Sequence, residues 1–299
     1  MAEAAPLEVR GLTKRFGSTT AVEDLTFAVE PGRITGFLGP NGAGKTTTLR
    51  ILLGLVNQTA GEALVGGVPY RELDDPARTV GAVLEASTYH PTRSGRNHLR
   101  VLATAGGIPQ TRVDDVLEEV ELTAAARRRV ETYSLGMRQR LSVAAALLGN
   151  PLLLVLDEPA NGLDPEGIRW LRDFLRSFAG GGGTVFISSH VLAEVAQLAD
   201  EVVIIHRARL VAHEPLGALT ARAGEGAVVR SPQAARLIEE LGRAGIEAAR
   251  VGEDRMRVHA PAERVGEVAA GAGIVLHELR GEGASLEEVF LELTGGEET

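Results

Sequence analysis

The stretch Gly39-Pro40-Asn41-Gly42-Ala43-Gly44-Lys45-Thr46 matches the phosphate-loop pattern G-x-x-x-x-G-K-[ST]. Glycines let the backbone turn its N–H groups toward phosphate oxygens, and a helix beginning near Lys45 points the positive end of its dipole at them. We expect the Lys45 ammonium to reach the β- and γ-phosphates and the Thr46 hydroxyl to ligate Mg²⁺. Thr47 is the last of the expected nucleotide-binding residues of this segment. A strand-like segment precedes the loop and a helical repeat follows it, which disfavours a chance match in a glycine-rich chain. The sequence therefore predicts a site for ATP and Mg²⁺.

Two adjacent acids, Asp157 and Glu158, follow the apolar run of residues 152–156. Such a run is typical of a strand buried on both faces. Negative charge at the end of a buried strand is costly without a cation, and Mg²⁺ supplies one. We expect Asp157 to hold the metal and Glu158 to accept a proton from the attacking water. The alternative, that both are turn residues, is disfavoured by the phosphate loop.

Strand-like and helix-like segments alternate through the first two thirds of the chain, which indicates an α/β fold with a largely parallel sheet. Ser134 and Asp164 precede two of the helix-like segments and are expected to cap them. We predict a P-loop NTPase core with a β-rich N-terminal part in residues 1–215, carrying a helical insert at about residues 86–150. Residues 216–299 change in composition. Their order βαββαβ, with the last strand at residues 274–279, and a final helix at residues 286–293 predict a small α+β accessory domain, ferredoxin-like in arrangement.

Composition limits the classes of function. The chain has 299 residues, 44% of them hydrophobic, a net charge of −9 and no cysteine. This hydrophobic content is enough for a substantial buried core, and the absence of cysteine excludes disulfides and cysteine-based zinc sites. The negative charge argues against a dedicated nucleic-acid binder. No signal segment and no apolar run of about 20 residues is present, so we expect a soluble, cytoplasmic protein.

The order of the motifs resembles the nucleotide-binding subunits of ABC transporters, over approximately residues 7–214. After the phosphate loop and the helical insert come Tyr133-Ser-Leu-Gly-Met137, Asp157-Glu158, Asn161-Gly-Leu-Asp164 and Ser189-His190. In that family two subunits sandwich two ATP molecules head to tail, so the resemblance implies a homodimer. It assigns Ser134 and Gly136 to the γ-phosphate held by the other copy, Phe16 to stacking on adenine, Asp164 to the dimer seam, and His190 to the γ-phosphate and catalytic geometry. Phe16 as a core residue and His190 as an ordinary loop residue are the structural alternatives.

Two positions depart from the family pattern. The signature, usually Leu-Ser-Gly-Gly-Gln, keeps only Ser134 and Gly136 here. Where the family offers a glutamine to Mg²⁺ and the attacking water, this chain has Glu85, which accepts hydrogen bonds and ligates metal but cannot donate. In both departures the chain resembles the ATPases of daunorubicin- and bacitracin-resistance exporters.

The resemblance implies an ATPase that energises a membrane exporter through ATP-driven dimer closure. Its partners are then a second copy of itself and separate transmembrane permease subunits, and it lies peripherally on the inner face of the cell membrane. The transported class implied is a drug, an antibiotic or a lipid-like molecule. An alternative is a soluble ABC-type ATPase acting on ribosomes or DNA. A P-loop kinase or GTPase fits less well, because the signature and Ser189-His190 elements are present.

Overall fold

The computed structural model of the protein describes residues 7–84, 89–222, 225–283 and 290. The chain divides into two compact units between His213 and Glu214. Across the described residues, no helix has the length and apolar character needed to cross a membrane.

The elements alternate along the chain. In order they are β1 (Leu7–Phe16), β2 (Thr19–Val29), β3 (Ile34–Leu38), α1 (Lys45–Leu52), β4 (Ala60–Val65), α2 (Pro76–Thr79), β5 (Val80–Val83), α3 (Gly95–Ala105), α4 (Arg112–Glu119), α5 (Leu135–Leu147), β6 (Leu153–Asp157), α6 (Pro165–Gly180), β7 (Thr184–Ser189), α7 (Leu192–Ala196), β8 (Glu201–His206), β9 (Arg209–Pro215), α8 (Leu216–Arg222), β10 (Glu225–Arg230), α9 (Ala234–Arg243), β11 (Ala248–Arg250), β12 (Arg255–Val258), α10 (Ala262–Gly271) and β13 (Glu278–Gly283). Short 3-10 helices lie at Tyr70–Glu72, Thr123–Ala125 and Val130–Thr132.

A six-stranded sheet with the order β5-β6-β7-β3-β8-β9 forms the centre of the first unit. The pairs β5–β6, β6–β7, β7–β3 and β3–β8 are parallel, which confirms the predicted α/β core. Because the carboxyl ends of parallel strands share one edge, the segments after β3, β6 and β7 meet there. The phosphate loop follows β3, and the two acids lie at the end of β6.

An antiparallel sheet with the order β2-β1-β4 supplies the predicted β-rich N-terminal part. Phe27 from β2 packs on Phe37 and Phe186 of the parallel sheet, with ring centroids 5.6 and 5.7 Å away. All three rings belong to one buried apolar cluster that includes residues of both sheets. Burial of this shared face fixes the N-terminal sheet against the strand that leads into the phosphate loop.

The predicted helical insert contains α3, α4 and α5, which pack on one another. Leu99, Leu117 and Leu141, one from each helix, are fully buried. Ser134 caps α5, as the sequence predicts, because its Oγ accepts the Met137 N–H at 3.2 Å. The start of α5 is therefore fixed by a local hydrogen bond.

The second unit has the predicted order βαββαβ and an antiparallel sheet with the strand order β11-β12-β10-β13. This is a ferredoxin-like arrangement. Its last described strand starts later than the apolar run at residues 274–279 predicts. The Ile274 N–H bonds to the Ala269 carbonyl at 2.9 Å and its side chain is buried, so Ile274 belongs to the turn that closes α10, and β13 begins only at Glu278. Of the predicted final helix at residues 286–293, only Phe290 lies within the described residues.

Candidate nucleotide-binding site

The phosphate loop depends on glycine at two positions. Gly44 has a φ of +109°, and a Cβ there would lie 2.3 Å from the Ala21 carbonyl oxygen. A Cβ on Gly39 would lie 2.4 Å from the Ile205 carbonyl oxygen. Only glycine fits such contacts, and Gly44 leads directly into α1 at Lys45. The loop therefore turns sharply and presents the N-terminus of α1 to the carboxyl edge of the sheet.

Lys45 is buried, with 5% of its surface exposed. Its ammonium donates to the carbonyl oxygens of Gly39 at 2.6 Å and Pro40 at 3.2 Å. The same nitrogen lies 3.2 Å from Glu158 Oε1. A buried ammonium needs such partners, and they hold its charge beneath the loop.

Thr46, Asp157 and Ser188 form a hydrogen-bonded chain of oxygens. Thr46 Oγ1 donates to Asp157 Oδ2 at 2.7 Å, and Ser188 Oγ donates to Asp157 Oδ1 at 2.5 Å. Asp157 is 4% exposed and Ser188 is fully buried. Hydroxyl and carboxylate oxygens are the ligands that Mg²⁺ prefers, so the Thr46 and Asp157 pair has the right donor chemistry for the predicted metal.

Glu158 is held at both carboxylate oxygens. Oε1 faces Lys45, while Oε2 lies 2.8 Å from His190 Nδ1 and accepts the His190 backbone N–H at 3.3 Å. His190 follows β7 directly, so the strand end positions the ring beside the acid. The pKa of the nearby Glu194 carboxyl is raised, mainly because the group is partly buried. The His190 ring acts in the opposite direction, and the Glu158 charge adds to the increase.

A cavity of about 430 Å³ opens between these groups. It brings together residues from the phosphate loop, β5, α5, the end of β6 and the turn after it. Its lining comprises Asn41, Gly42, Gly44, Lys45, Thr46, Val83, Leu135, Gln139, Asp157, Glu158 and Asn161. Five predicted loop residues and both predicted acids thus face one space.

Other predicted residues lie outside this lining. Gly39, Pro40 and Ala43 of the loop and Thr47 of α1 do not line the cavity, and His190 reaches it through Glu158. Phe16 is 51% exposed at the end of β1, with Lys14 Nζ 4.6 Å from its ring centroid, so it is not a core residue.

The remaining predicted residues have local structural roles or fall outside the described part. Ser134 is exposed and Gly136 is half-buried at the start of α5. Asp164 caps α6, as the sequence predicts, by accepting the Gly167 N–H at 2.9 Å. Glu85 lies outside the described residues.

Two residues near the chemistry were missed by sequence reasoning. Gln139, on the second turn of α5, lines the cavity, and its Nε2 is buried with no hydrogen-bond partner among the described residues. Ser188 bonds Asp157 from the neighbouring strand. The available signal for Ser188 was a pair of serines closing an apolar strand, but the sequence does not show which strand lies beside β6.

Comparisons with known proteins agree with this geometry. The profile of the family described as "ABC transporter" matches residues 22–161, and that of a domain of unknown function, DUF8746, matches residues 225–287. The bacitracin transport ATP-binding protein BcrA of Enterococcus faecalis is 36% identical, covering 97% of this chain and 96% of the relative. The daunorubicin resistance ATP-binding protein DrrA3 of Streptomyces coeruleorubidus is 34% identical, covering 99% and 97%.

A solved structure described as the ATP binding subunit of an ABC transporter shares the fold. Its TM-score is 0.64 at 29% identity, and the match covers 72% of this chain and 92% of that one. The resemblance predicted from the motifs of residues 7–214 is therefore confirmed, and the two named relatives extend the match along nearly the whole chain. This chain belongs to the ABC transporter ATP-binding family, whose members bind ATP and hydrolyse it to drive transport.

Proposed function

We propose that residues 1–215 form the ATP-hydrolysing domain of an exporter's energy-coupling subunit, and that the site is completed by a second copy of the chain. The observation that carries the proposal is the position of Glu158. Its carboxylate lies between Lys45 and His190, beside the paired oxygens of Thr46 and Asp157 and facing the cavity of the phosphate loop.

Nucleotide binding would use the loop and Lys45. The N–H groups at the start of α1 and the Lys45 ammonium face the position of the β- and γ-phosphates. Phe16, exposed at the end of β1, would stack on the adenine. Thr46 and Asp157 would hold Mg²⁺, which when bound neutralises charge on the β- and γ-phosphate oxygens.

Hydrolysis would then proceed at the γ-phosphate. The oxygen of a water molecule attacks the γ-phosphorus, the bond to the β–γ bridging oxygen breaks, and ADP and phosphate leave. Glu158 accepts the water's proton, and His190 holds the Glu158 carboxylate in place through its Nδ1 contact. Lys45 stabilises the charge that develops on the phosphate oxygens.

Dimer closure would complete the site. Ser134 is exposed and Gly136 half-buried, and neither lines the cavity of its own chain. In the proposed sandwich they contact the γ-phosphate held by the partner copy, with Asp164 at the seam and Glu85 near the attacking water. ATP binding thereby becomes an assembly step, and hydrolysis reopens the dimer.

The proposed partners are transmembrane permease subunits, which would place this chain at the inner face of the cell membrane. The proposed cargo is a drug or antibiotic. Support comes from relatives named for bacitracin transport and daunorubicin resistance, which match this chain over almost its full length. Co-purification of the tagged chain with a polytopic membrane protein is the expected result, whereas co-purification with ribosomes would overturn the transport assignment.

The variant Glu158→Gln tests the catalytic assignment. It keeps the side-chain volume but removes the proton acceptor, so we expect ATP binding to persist, turnover to fall by roughly 10²–10⁴-fold, and an ATP-bound dimer to accumulate. Gel filtration with ATP and steady-state ATPase assays measure both effects. Glu239→Gln, which removes an exposed carboxylate on α9, is the matched control. Near-normal turnover of Glu158→Gln would refute the assignment of the base.

A further inference from the structure

The Ser188 hydroxyl lies between the two acids at the end of β6. Ser188 and Asp157 are register partners in the parallel pair β6–β7. Ser188 Oγ is 2.5 Å from Asp157 Oδ1 and 2.9 Å from the backbone nitrogen of Glu158. Ser188 is fully buried, so its hydroxyl does not exchange these partners for bulk water. One buried oxygen therefore contacts both residues of the acid pair.

The chemistry of the partners fixes the direction of both bonds. The Glu158 N–H can only donate, and the Asp157 carboxylate can only accept when ionised. A serine hydroxyl has one donor and two acceptor positions, so Ser188 must accept from Glu158 and donate to Asp157. The hydroxyl thus has one arrangement, and it ties the backbone of one acid to the side chain of the other.

Glu158 needs this restraint because of its backbone conformation. Its φ is +47°, in the left-handed region that non-glycine residues rarely occupy. That turn directs the carboxylate away from the strand axis and toward Lys45 and His190. The bond from the Glu158 N–H to Ser188 stabilises the backbone at the point where the chain turns.

Asp157 is restrained from the opposite side. Thr46 bonds Oδ2 and Ser188 bonds Oδ1, so the plane of the carboxylate is set by one hydroxyl from the start of α1 and one from the end of β7. Rotation of the carboxylate would break both bonds. Ser188 therefore also orients the oxygen pair that faces the proposed metal position.

We propose that Ser188 is a positioning residue for ATP hydrolysis, whose single hydroxyl holds Asp157 in its metal-facing orientation and Glu158 in its left-handed, cavity-facing conformation. The proposal rests on the proposed roles of these two acids. In this proposal Ser188 does not contact ATP. Loss of the Ser188 hydroxyl should therefore lower turnover and raise the Mg²⁺ requirement, while the affinity for the nucleotide itself stays the same.

The test uses the full chain with Ser188→Ala and Ser188→Cys. Alanine removes the hydroxyl, and cysteine fills the site with a weak hydrogen-bonding group. For both variants we expect kcat to fall on the order of 10²-fold, because a small misplacement of a catalytic group has that effect. We expect KM for ATP to stay within about threefold of wild type. ATP affinity measured by calorimetry in EDTA should be unchanged, while the Mg²⁺ concentration for half-maximal binding should rise.

Ser142→Ala is the control, because Ser142 is another buried serine of the same unit and bonds the Arg138 carbonyl at 3.0 Å. A wild-type kcat in Ser188→Ala or Ser188→Cys overturns the proposal. So does a fall in kcat that comes with an equal loss of ATP affinity in EDTA and a lower melting temperature, since that pattern indicates a purely structural role. The Mg²⁺ titration measures the effect of the Ser188 variants on binding and does not require hydrolysis. The turnover of the wild-type protein and of Glu158→Gln tests the proposed function separately.

Discussion

Replacement of Lys45 by methionine isolates the charge of the buried ammonium, because the two side chains are similar in length. In the structure the ammonium contacts three partners, which are the Gly39 and Pro40 carbonyl oxygens and Glu158 Oε1. Methionine leaves the two carbonyl oxygens without this donor. We therefore expect two separable effects, one on the stability of the free protein and one on ATP binding.

The structure sets the size of both effects. The Pro40 oxygen still accepts the Ala43 N–H at 3.1 Å, so one buried acceptor, the Gly39 oxygen, loses its partner, which costs about 1–3 kcal/mol. For a unit of this size each kcal/mol lowers the melting temperature by about 2–4 °C, so a decrease of about 2–12 °C is expected. Two charge-assisted hydrogen bonds to phosphate contribute about 3–6 kcal/mol, which corresponds to roughly 10²–10⁴-fold in the dissociation constant of ATP.

Calorimetry and thermal unfolding with and without Mg-ATP measure these effects. ATP at 100 times its dissociation constant stabilises the wild-type protein by about 2.7 kcal/mol, and the variant, whose dissociation constant is roughly 10²–10⁴-fold larger, should gain about 0.4 kcal/mol or less at the same concentration. Arg50→Met, which removes a cation from the last turn of the same helix, is the control. Unchanged ATP affinity in Lys45→Met would refute the assignment of the phosphate loop.

Two further predictions concern residues at the edge of the site. Phe16→Ala should weaken ATP and GTP binding alike by roughly 5–150-fold, because that is the contribution of one aromatic–base stack. Phe16→Tyr keeps the aromatic ring and should retain wild-type affinity by calorimetry. Equal affinities for Phe16→Ala and the wild type would exclude stacking. Burial raises the pKa of Glu194 in the folded state, so ionisation of this carboxyl at neutral pH destabilises the fold. Glu194→Gln removes the charge and should raise the free energy of unfolding at pH 7 by about 0.5 kcal/mol or less. That gain should shrink as pH falls through the raised pKa and vanish below the unfolded value, where both states hold the proton; a gain that grows toward acid pH would contradict the direction of the shift.

Local sequence was sufficient wherever a feature depends on neighbouring residues. The caps Ser134 and Asp164 were predictable, because a cap bonds an N–H three residues ahead. The phosphate loop was predictable because its glycines and Lys45 are consecutive. The α/β core followed from the alternation of strands and helices. The start of β13 was misjudged, because Ile274 lies in the turn that follows α10, where its N–H bonds back to Ala269, and not in the strand.

What the sequence by itself determined about this protein is the chemistry of its separate segments: a loop that binds phosphate, a strand that ends in two acids, and a histidine after the next strand. The tertiary structure decided which of these meet. The strand order β6-β7-β3 places Ser188 beside Asp157 and brings Thr46 to the other side of the same carboxylate. Long-range strand pairing has no signature in a single sequence, because it arises from burial of whole faces shared by distant segments. The Ser188 contact, and the left-handed turn that aims Glu158, therefore became visible only in the fold.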